Sequence, residues 1–416
     1  MPSLQPVRGT QDLLPVEQRR HRHVVETART IAARYGYAEI ATPIFEFTEV
    51  FSRPIGALTD IVQKEMYTFQ DRGGDEITLR PEYTAGIIRA VLSNGLTQSL
   101  PLKLFASGPM FRYERPQKGR FRQFHQIDVE LLGVAQPAGD IEVVALGADI
   151  LDALGVLSLS ELELNTLGDL ESRHSYRAAL VTYYEQRAGE LSEDSRRRLE
   201  RNPLRILDSK DAADKHVNAE APLFDEYLTA DARKFFDAVR TGLDRLGISY
   251  RLSPRLVRGL DYYCHTAFEF VTQALGAQGT VLGGGRYDGL MGIMGGPETP
   301  GVGWAAGIER LALLLAEPPA ASRAIAIVPL GETAEAAAQK LAHELRRAGF
   351  TVDVGFAPQR SLKRSLAYAE KIAARAAIII GDDELQRGAV SLRDLDARQQ
   401  TEVPLAALQE RLREFR

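Results

Sequence analysis

Residues 111–126 read Phe-Arg-Tyr-Glu-Arg-Pro-Gln-Lys-Gly-Arg-Phe-Arg-Gln-Phe-His-Gln. From Arg112 to Arg122 there are five basic residues and one acid. Pro116 and Gly119 mark the middle as a loop. Leu102–Phe111 before it reads as extended, and Arg122–Leu132 after it alternates polar and apolar residues, the pattern of a strand lining a site with one face. A loop this basic between two strands suits a polyanion, either triphosphate or RNA, and composition alone fits a solvated hairpin equally well.

Four further segments carry chemistry. Leu79-Arg-Pro-Glu-Tyr-Thr-Ala85 places Glu82 between a strand and the helix expected over Tyr83–Asn94, where a carboxylate can receive an ammonium or simply favour the helix dipole. Leu256-Val-Arg-Gly-Leu-Asp-Tyr-Tyr263 sets a charged pair, Arg258 and Asp261, beside two tyrosines. Such a group can read a polar ligand or sit in a core. Ten of the 25 residues from Gly283 to Gly307 are glycine, which allows close backbone approach or tight turns. No Gly-Lys-[Ser/Thr] follows, so this is not a P-loop, and no Gly-x-Gly-x-x-Gly opens a helix to suggest a dinucleotide fold. Gly307-Ile-Glu-Arg310 begins a helix, where free N–H groups and an arginine can make an anion site or the arginine can simply lie on the surface of the first turn.

Length and composition bound the rest. The chain has 416 residues, enough for two to four domains. Hydrophobic residues at 44% and charged residues at 26% are those of a globular protein. The net charge is −5, and it divides unevenly: residues 323–416 carry +2 and the remainder −7. Any nucleic-acid contact is therefore a local patch on an acidic body. The single cysteine, Cys264, excludes an internal disulfide framework and a cysteine-based zinc site. The seven histidines are scattered; His21 and His23 fall on different faces of a helix, so no metal site is assigned to protein side chains. Apolar runs such as Leu311–Ala316 fall far short of the ~20 residues a membrane span needs. Met1–Pro15 has no apolar secretory core. The expected location is the cytoplasm, with no membrane partner.

Helix is expected over Glu17–Tyr35 and strand over Ala38–Ile44, closed by Pro43. Residues 170–250 are rich in Arg, Glu, Asp and Ala and read as a helical insertion. Strand character returns at Ala267–Thr272 and Gly279–Leu282, then a helix over Gly307–Leu315. Glu317–Ser322 is a linker by composition. Beyond it strands and helices alternate, as in a small α/β domain.

In this order the segments resemble the class II aminoacyl-tRNA synthetases, and in detail the histidyl-tRNA synthetases: Arg80-Pro-Glu-x-Thr84, Phe111-Arg-x-Glu-Arg-Pro116, Arg258-Gly-Leu-Asp-Tyr-Tyr263, and Gly303-x-x-x-Gly-x-Glu-Arg310. The strand Ile40–Pro43 is similar to the family's first, dimer-forming motif. The resemblance implies an α+β fold: an antiparallel sheet core flanked by helices, a helical insertion and a C-terminal α/β anticodon-binding domain. The implied layout is a catalytic core in 1–169 and 251–320, an insertion at 170–250 and an anticodon-binding domain at 323–416. It also implies a homodimer.

The implied activity is histidine–tRNA ligation in two steps, adenylation of L-histidine by ATP and transfer to the 3′ end of histidine tRNA. By the same resemblance Arg112 and Arg258 are catalytic, on two sides of the α-phosphate. Arg112, Glu114, Arg120, Phe124 and Arg310 bind ATP, with Mg2+ on the outer phosphates and the adenine between Phe124 and Arg310. Glu82, Thr84 and Gln126 hold the α-amino group. Glu130 and Tyr263, with Tyr262 beside it, read the imidazole, which offers one donor and one acceptor. Arg115, Gln117 and Lys118 approach the acceptor end of the tRNA. The patch Arg360, Lys363, Arg364, Lys371 and Arg375 is either an anticodon-stem contact or a solvated face. The rival reading is a non-catalytic, histidine-binding regulatory subunit of ATP phosphoribosyltransferase. That paralogue lacks the anticodon domain and loses the catalytic arginines, whereas Arg112, Arg258, Arg310 and residues 323–416 are all present here.

Overall fold

The computed structural model describes residues 3–55, 59, 61–117, 119–207, 209, 211–257, 262–276, 279–317, 320–355 and 361–415. Lys118, Arg258 and Arg360 lie outside the described residues. The chain forms two compact units, Met1–Pro319 and Ala320–Arg416.

The first unit opens with α1 (Pro15–Arg34). Proline at its first position suits an N-terminus. Val24, Ala28, Ile31 and Ala32 recur at helical spacing and are buried. Gly36 ends the helix at φ +82°. There follow β1 (Ala38–Glu39), β2 (Phe45–Phe47), α2 (Glu49–Ile55), β3 (Tyr67–Gln70) and β4 (Glu76–Leu79). Then come α3 (Thr84–Ser93), β5 (Leu102–Phe111), β6 (Gln123–Leu132), α4 (Pro137–Ala153) and β7 (Glu161–Thr166). Of the strand expected over Ala38–Ile44 only β1 (Ala38–Glu39) forms, and the next strand, β2, begins beyond it at Phe45 in a different sheet. Ile40 still donates to the Phe105 carbonyl at 2.8 Å, but Pro43 has no N–H to extend a ladder, and the chain leaves the sheet there.

Helices α5 (Leu170–Glu185), α6 (Glu193–Arg201), α7 (Ala212–Ala219) and α8 (Ala230–Arg245) come next. Tyr176, Leu180, Tyr184, Val217 and Phe224 form an apolar cluster of their own around α5 and α7. Asp214 ties this module together by accepting from the Ser192 N–H at 2.8 Å and from the hydroxyls of Ser192 at 2.7 Å and Ser195 at 2.6 Å. In contrast, α8 packs on α4, and its Phe236, Val239 and Leu243 belong to the main core.

After β8 (Arg251–Leu252), β9 (Cys264–Val271), β10 (Thr280–Arg286), α9 (Leu290–Ile293), β11 (Gly301–Gly307) and α10 (Ile308–Leu314), an eight-stranded sheet is complete in the order β1-β5-β6-β11-β10-β9-β7-β8. Its central pairings are antiparallel; only β1 on β5 and β8 on β7 run parallel. Helices α1, α4, α8 and α10 cover one face around Trp304, whose indole N–H donates to the Val143 carbonyl at 2.9 Å. Gly284 lies against that tryptophan: a Cβ there would fall 2.5 Å from the Trp304 Cβ. The other face carries the site.

The second unit contains β12 (Ile325–Leu330), α11 (Glu332–Arg347), β13 (Val352–Asp353), α12 (Leu362–Lys371), β14 (Ala376–Gly381), α13 (Asp382–Gln386), β15 (Ala389–Asp394), β16 (Gln400–Pro404) and α14 (Leu408–Leu412). Its sheet runs β13-β12-β14-β15-β16, parallel across the first three and antiparallel across the last. Strand–helix alternation yields this α/β arrangement, as the sequence leads one to expect.

Candidate active site

A cavity of about 250 Å³ opens on the sheet between α3, the β5–β6 loop, β6, β9, β10 and the start of α10. One end is cationic. Arg112 leaves the end of β5, and its Nε donates to the Pro81 carbonyl at 2.9 Å. Its guanidinium faces the Phe124 ring at 5.4 Å. Burial lowers the Arg112 pKa, opposed by Glu65 and Glu82. Arg120 is paired with Glu114. Arg310, in the first turn of α10, donates to the Thr280 carbonyl at 2.6 Å. Burial and then the charges of Arg120 and Arg112 lower its pKa. Guanidinium groups held close together, each destabilised by burial, favour a polyanion.

The other end is acidic. Glu82 accepts from the N–H groups of Thr84 at 2.7 Å and Ala85 at 2.9 Å, capping α3. Burial nevertheless raises its pKa. Gln126, Asp128 and Glu130 follow at alternate positions of β6. Burial pushes the Glu130 carboxyl up to about 7, against hydrogen bonds from Thr84 and Tyr287. Tyr287 donates its hydroxyl to Glu130. Tyr262 and Tyr263 complete the wall, their rings 4.8 Å apart. A basic end and an acidic end in one cavity suit a nucleotide beside an amino acid.

The fold brings Glu82, Thr84, Arg112, Glu114, Arg120, Phe124, Gln126, Tyr262, Tyr263 and Arg310 onto this one cavity. Glu130 stands behind the lining, under Tyr287. Arg115 and Gln117 are exposed on the loop, where Gln117 and Arg120 pair through their backbones. Sequence reasoning missed Asp128, Glu269 and Thr280, which also line the cavity. The alternation of β6 already marks Asp128. Nothing local marks Glu269 and Thr280, which meet across two strands at 2.7 Å. The scattered histidines also converge: His21 and His125 gather with Glu309, their ligand atoms all within 4.8 Å of one another. His125 donates from its backbone N–H to both Glu309 oxygens at 3.0 Å, and its Nδ1 lies 2.8 Å from one of them, which locks β6 to α10.

An antiparallel sheet with arginines at one end of a pocket and carboxylates at the other defines the catalytic core of the class II aminoacyl-tRNA synthetases. The family model described as histidyl-tRNA synthetase matches residues 9–311, and that of an anticodon binding domain matches 324–415. The chain is 57% identical over 416 residues to the histidine–tRNA ligase of Rhodospirillum rubrum, covering 100% of both. It is 56% identical to that of Gluconacetobacter diazotrophicus, covering 98% of each. The crystal structure of apo histidyl-tRNA synthetase from S. aureus superposes with a TM-score of 0.84 at 35% identity, over 98% of this chain and 99% of that one. The chain belongs to the histidyl-tRNA synthetase family.

Proposed function

We propose that this cavity is where the chain, as a histidine–tRNA ligase, joins L-histidine to ATP, and that its residues divide the work as follows. A carboxylate oxygen of histidine attacks the α-phosphorus, a new P–O bond forms, and the bond to pyrophosphate breaks. The 3′-terminal adenosine hydroxyl of the tRNA then attacks the carbonyl carbon and AMP leaves. Neither step needs a protein nucleophile; both need alignment and charge stabilisation. Arg112 spans the α-phosphate and the attacking carboxylate. Arg258 is its counterpart on the other side, a role that rests on the Arg-Gly-Leu-Asp-Tyr-Tyr motif. Arg120 and Arg310 hold the outer phosphates, and Glu114 and Phe124 the adenine. Glu82, Thr84 and Gln126 receive the α-amino group; Glu130, Tyr262 and Tyr263 read the imidazole. Arg115, Gln117 and Lys118 meet the acceptor end.

Mg2+ takes oxygen ligands. The Glu269 carboxylate, which lines the cavity and acts on Arg310, fits as a donor. The ion would offset the charge of the outer phosphates. The single observation that carries the reading is the pairing of an arginine-rich end with a carboxylate-rich end in one cavity. Exchange of labelled pyrophosphate into ATP tests it, with each of the twenty amino acids in turn. Exchange with histidine alone is expected. A folded, histidine-binding chain without exchange would return the regulatory-subunit reading.

We also propose a homodimer through the sheet β2-β4-β3. Register puts Phe45 and Phe47 opposite Leu79 and Ile77, and Tyr67 and Phe69 opposite the same two, all on one face. Phe45, Phe47 and Phe69 are each about half exposed in the single chain. The reverse face is polar and tied by hydroxyl hydrogen bonds between Thr78 and each of Thr48 and Thr68. An apolar sheet face open to water marks an interface. Phe47→Glu should yield a monomer in sedimentation velocity; an unchanged sedimentation coefficient would place the interface elsewhere. Among the described residues no helix is long and apolar enough to cross a membrane. With Cys264 free, a reducing cytoplasm suits the chain.

A further inference from the structure

Gln126, Asp128 and Glu130 share one face of β6, while Ile127 and Val129 between them are fully buried on the other. Their neighbours on the flanking strands are small, except Leu104 beside Glu130. Gln126 lies between Gly108 and Gly307, and Asp128 between Ala106 and Ala305. Glu130 faces Gly303, where a Cβ would fall 1.9 Å from its Oε2. Small residues on both sides of Gln126 and Asp128, and on the β11 side of Glu130, leave a trough along β6, filled by these three polar side chains.

Asp128 is the middle member. It is 1% exposed and lines the cavity. Its Oδ1 has no hydrogen-bond partner among the described residues. The neighbouring carboxylates differ. Glu82 is satisfied by two backbone N–H groups, and Glu130 accepts from Tyr287. A bare buried carboxylate oxygen is costly unless a ligand completes it. Burial, then the charge of Glu130 and a side-chain hydrogen bond shared with it, then Glu82, push the Asp128 carboxyl well up, with Arg80 opposing, so Oδ1 alone is left without a partner among the described residues. The acidic end is therefore short of positive charge.

We infer that Asp128 is a further substrate-binding residue, whose free oxygen accepts from the α-ammonium of histidine and whose charge joins that of Glu82 in offsetting it. This rests on the histidine subsite proposed above. Gln126 Oε1 is likewise buried without a partner among the described residues, so a second acceptor stands two residues away on the same face. An ammonium with three donors fits such an array.

Asp128→Asn keeps the shape and removes the charge. In histidine-dependent pyrophosphate exchange it should raise the KM for histidine by about 10–100-fold, the scale of one hydrogen bond to a charged group, with the KM for ATP within twofold of wild type. Inhibition by histidinol, which keeps the ammonium, should weaken as much as histidine does. Inhibition by deamino-histidine, which lacks the ammonium, should stay within twofold. A histidine KM within twofold of wild type overturns the inference, and so does a deamino-histidine loss equal to that for histidinol, which would put Asp128 on the imidazole. If Asp128→Asn does not fold, as read by thermal melting, Asp128→Ser carries the same comparison. Wild-type exchange separates the two readings. If wild type exchanges with histidine and the variant matches it, only the role of Asp128 falls; if wild type does not exchange, the proposed function falls.

Discussion

Arg112→Gln should slow histidine-dependent pyrophosphate exchange by about 10²–10³-fold, the scale for removing one preorganised donor from a developing charge. The side chain is oriented before any ligand arrives. Its Nε is taken by the Pro81 carbonyl at 2.9 Å, which leaves the terminal nitrogens to face the cavity. Phe124 packs across the guanidinium. That orientation is what lysine cannot reproduce, because an ammonium has no fixed fork and no second edge to anchor. Arg112→Lys should therefore recover less than about tenfold of the loss, a small part of the scale for one such donor. The effect belongs in kcat more than in the KM for histidine, since the charge on the attacked phosphate grows toward the transition state. An exchange rate within twofold of wild type for Arg112→Gln would remove Arg112 from the chemistry.

Asp140→Ala should lower stability by about 3–5 kcal/mol in urea unfolding, the cost of breaking a buried ion pair by removing one member. Arg286 and Asp140 have side chains with 0% exposure. Arg286 also donates to the Val134 carbonyl at 2.9 Å and to Asp288 at 3.0 Å. It thereby bolts the end of β10 to the start of α4. Arg286→Met strands Asp140 in the same way and should cost a similar amount. The double variant Asp140→Leu with Arg286→Met should recover much of the loss, because an apolar pair needs no desolvation of charge. A loss below about 1 kcal/mol in either single variant, the range of an exposed pair, would show that the charges reach water. Histidine binding should report the damage too, since Tyr287, the next residue along, donates to Glu130.

The site was legible in the sequence where its chemistry is local. The basic loop around Arg112 and Arg120, the Glu82 placed to cap a helix, and the Arg310 at the start of another all follow from neighbours within a few residues. The alternation over 122–132 announced a strand with a polar face, and β6 is that strand. Less was legible where the chain changes sheets. Composition over Ala38–Ile44 is extended throughout, yet only Ala38–Glu39 forms a strand, and β2, just beyond it, pairs in a different sheet. Strand propensity does not encode the partner.

Residue types and local periods in the sequence alone determined the helices and strands near the motifs and supplied the arginines and carboxylates the reaction requires, while the order of the motifs carried the resemblance to the family. Tertiary structure decided which of those groups meet. Asp140 and Arg286 are paired across 146 positions, and Tyr287 and Glu130 across 157. His21 reaches His125 because α1 packs on α10, which in turn packs on β6. Asp128 keeps one buried oxygen without a partner among the described residues where register sets Ala106 and Ala305 at its sides. The reason is physical. Local preferences act over a few residues, whereas a side chain's partner is set by tertiary packing and sheet register, and a slip of one residue in β6 would turn Asp128 and Glu130 to the opposite face.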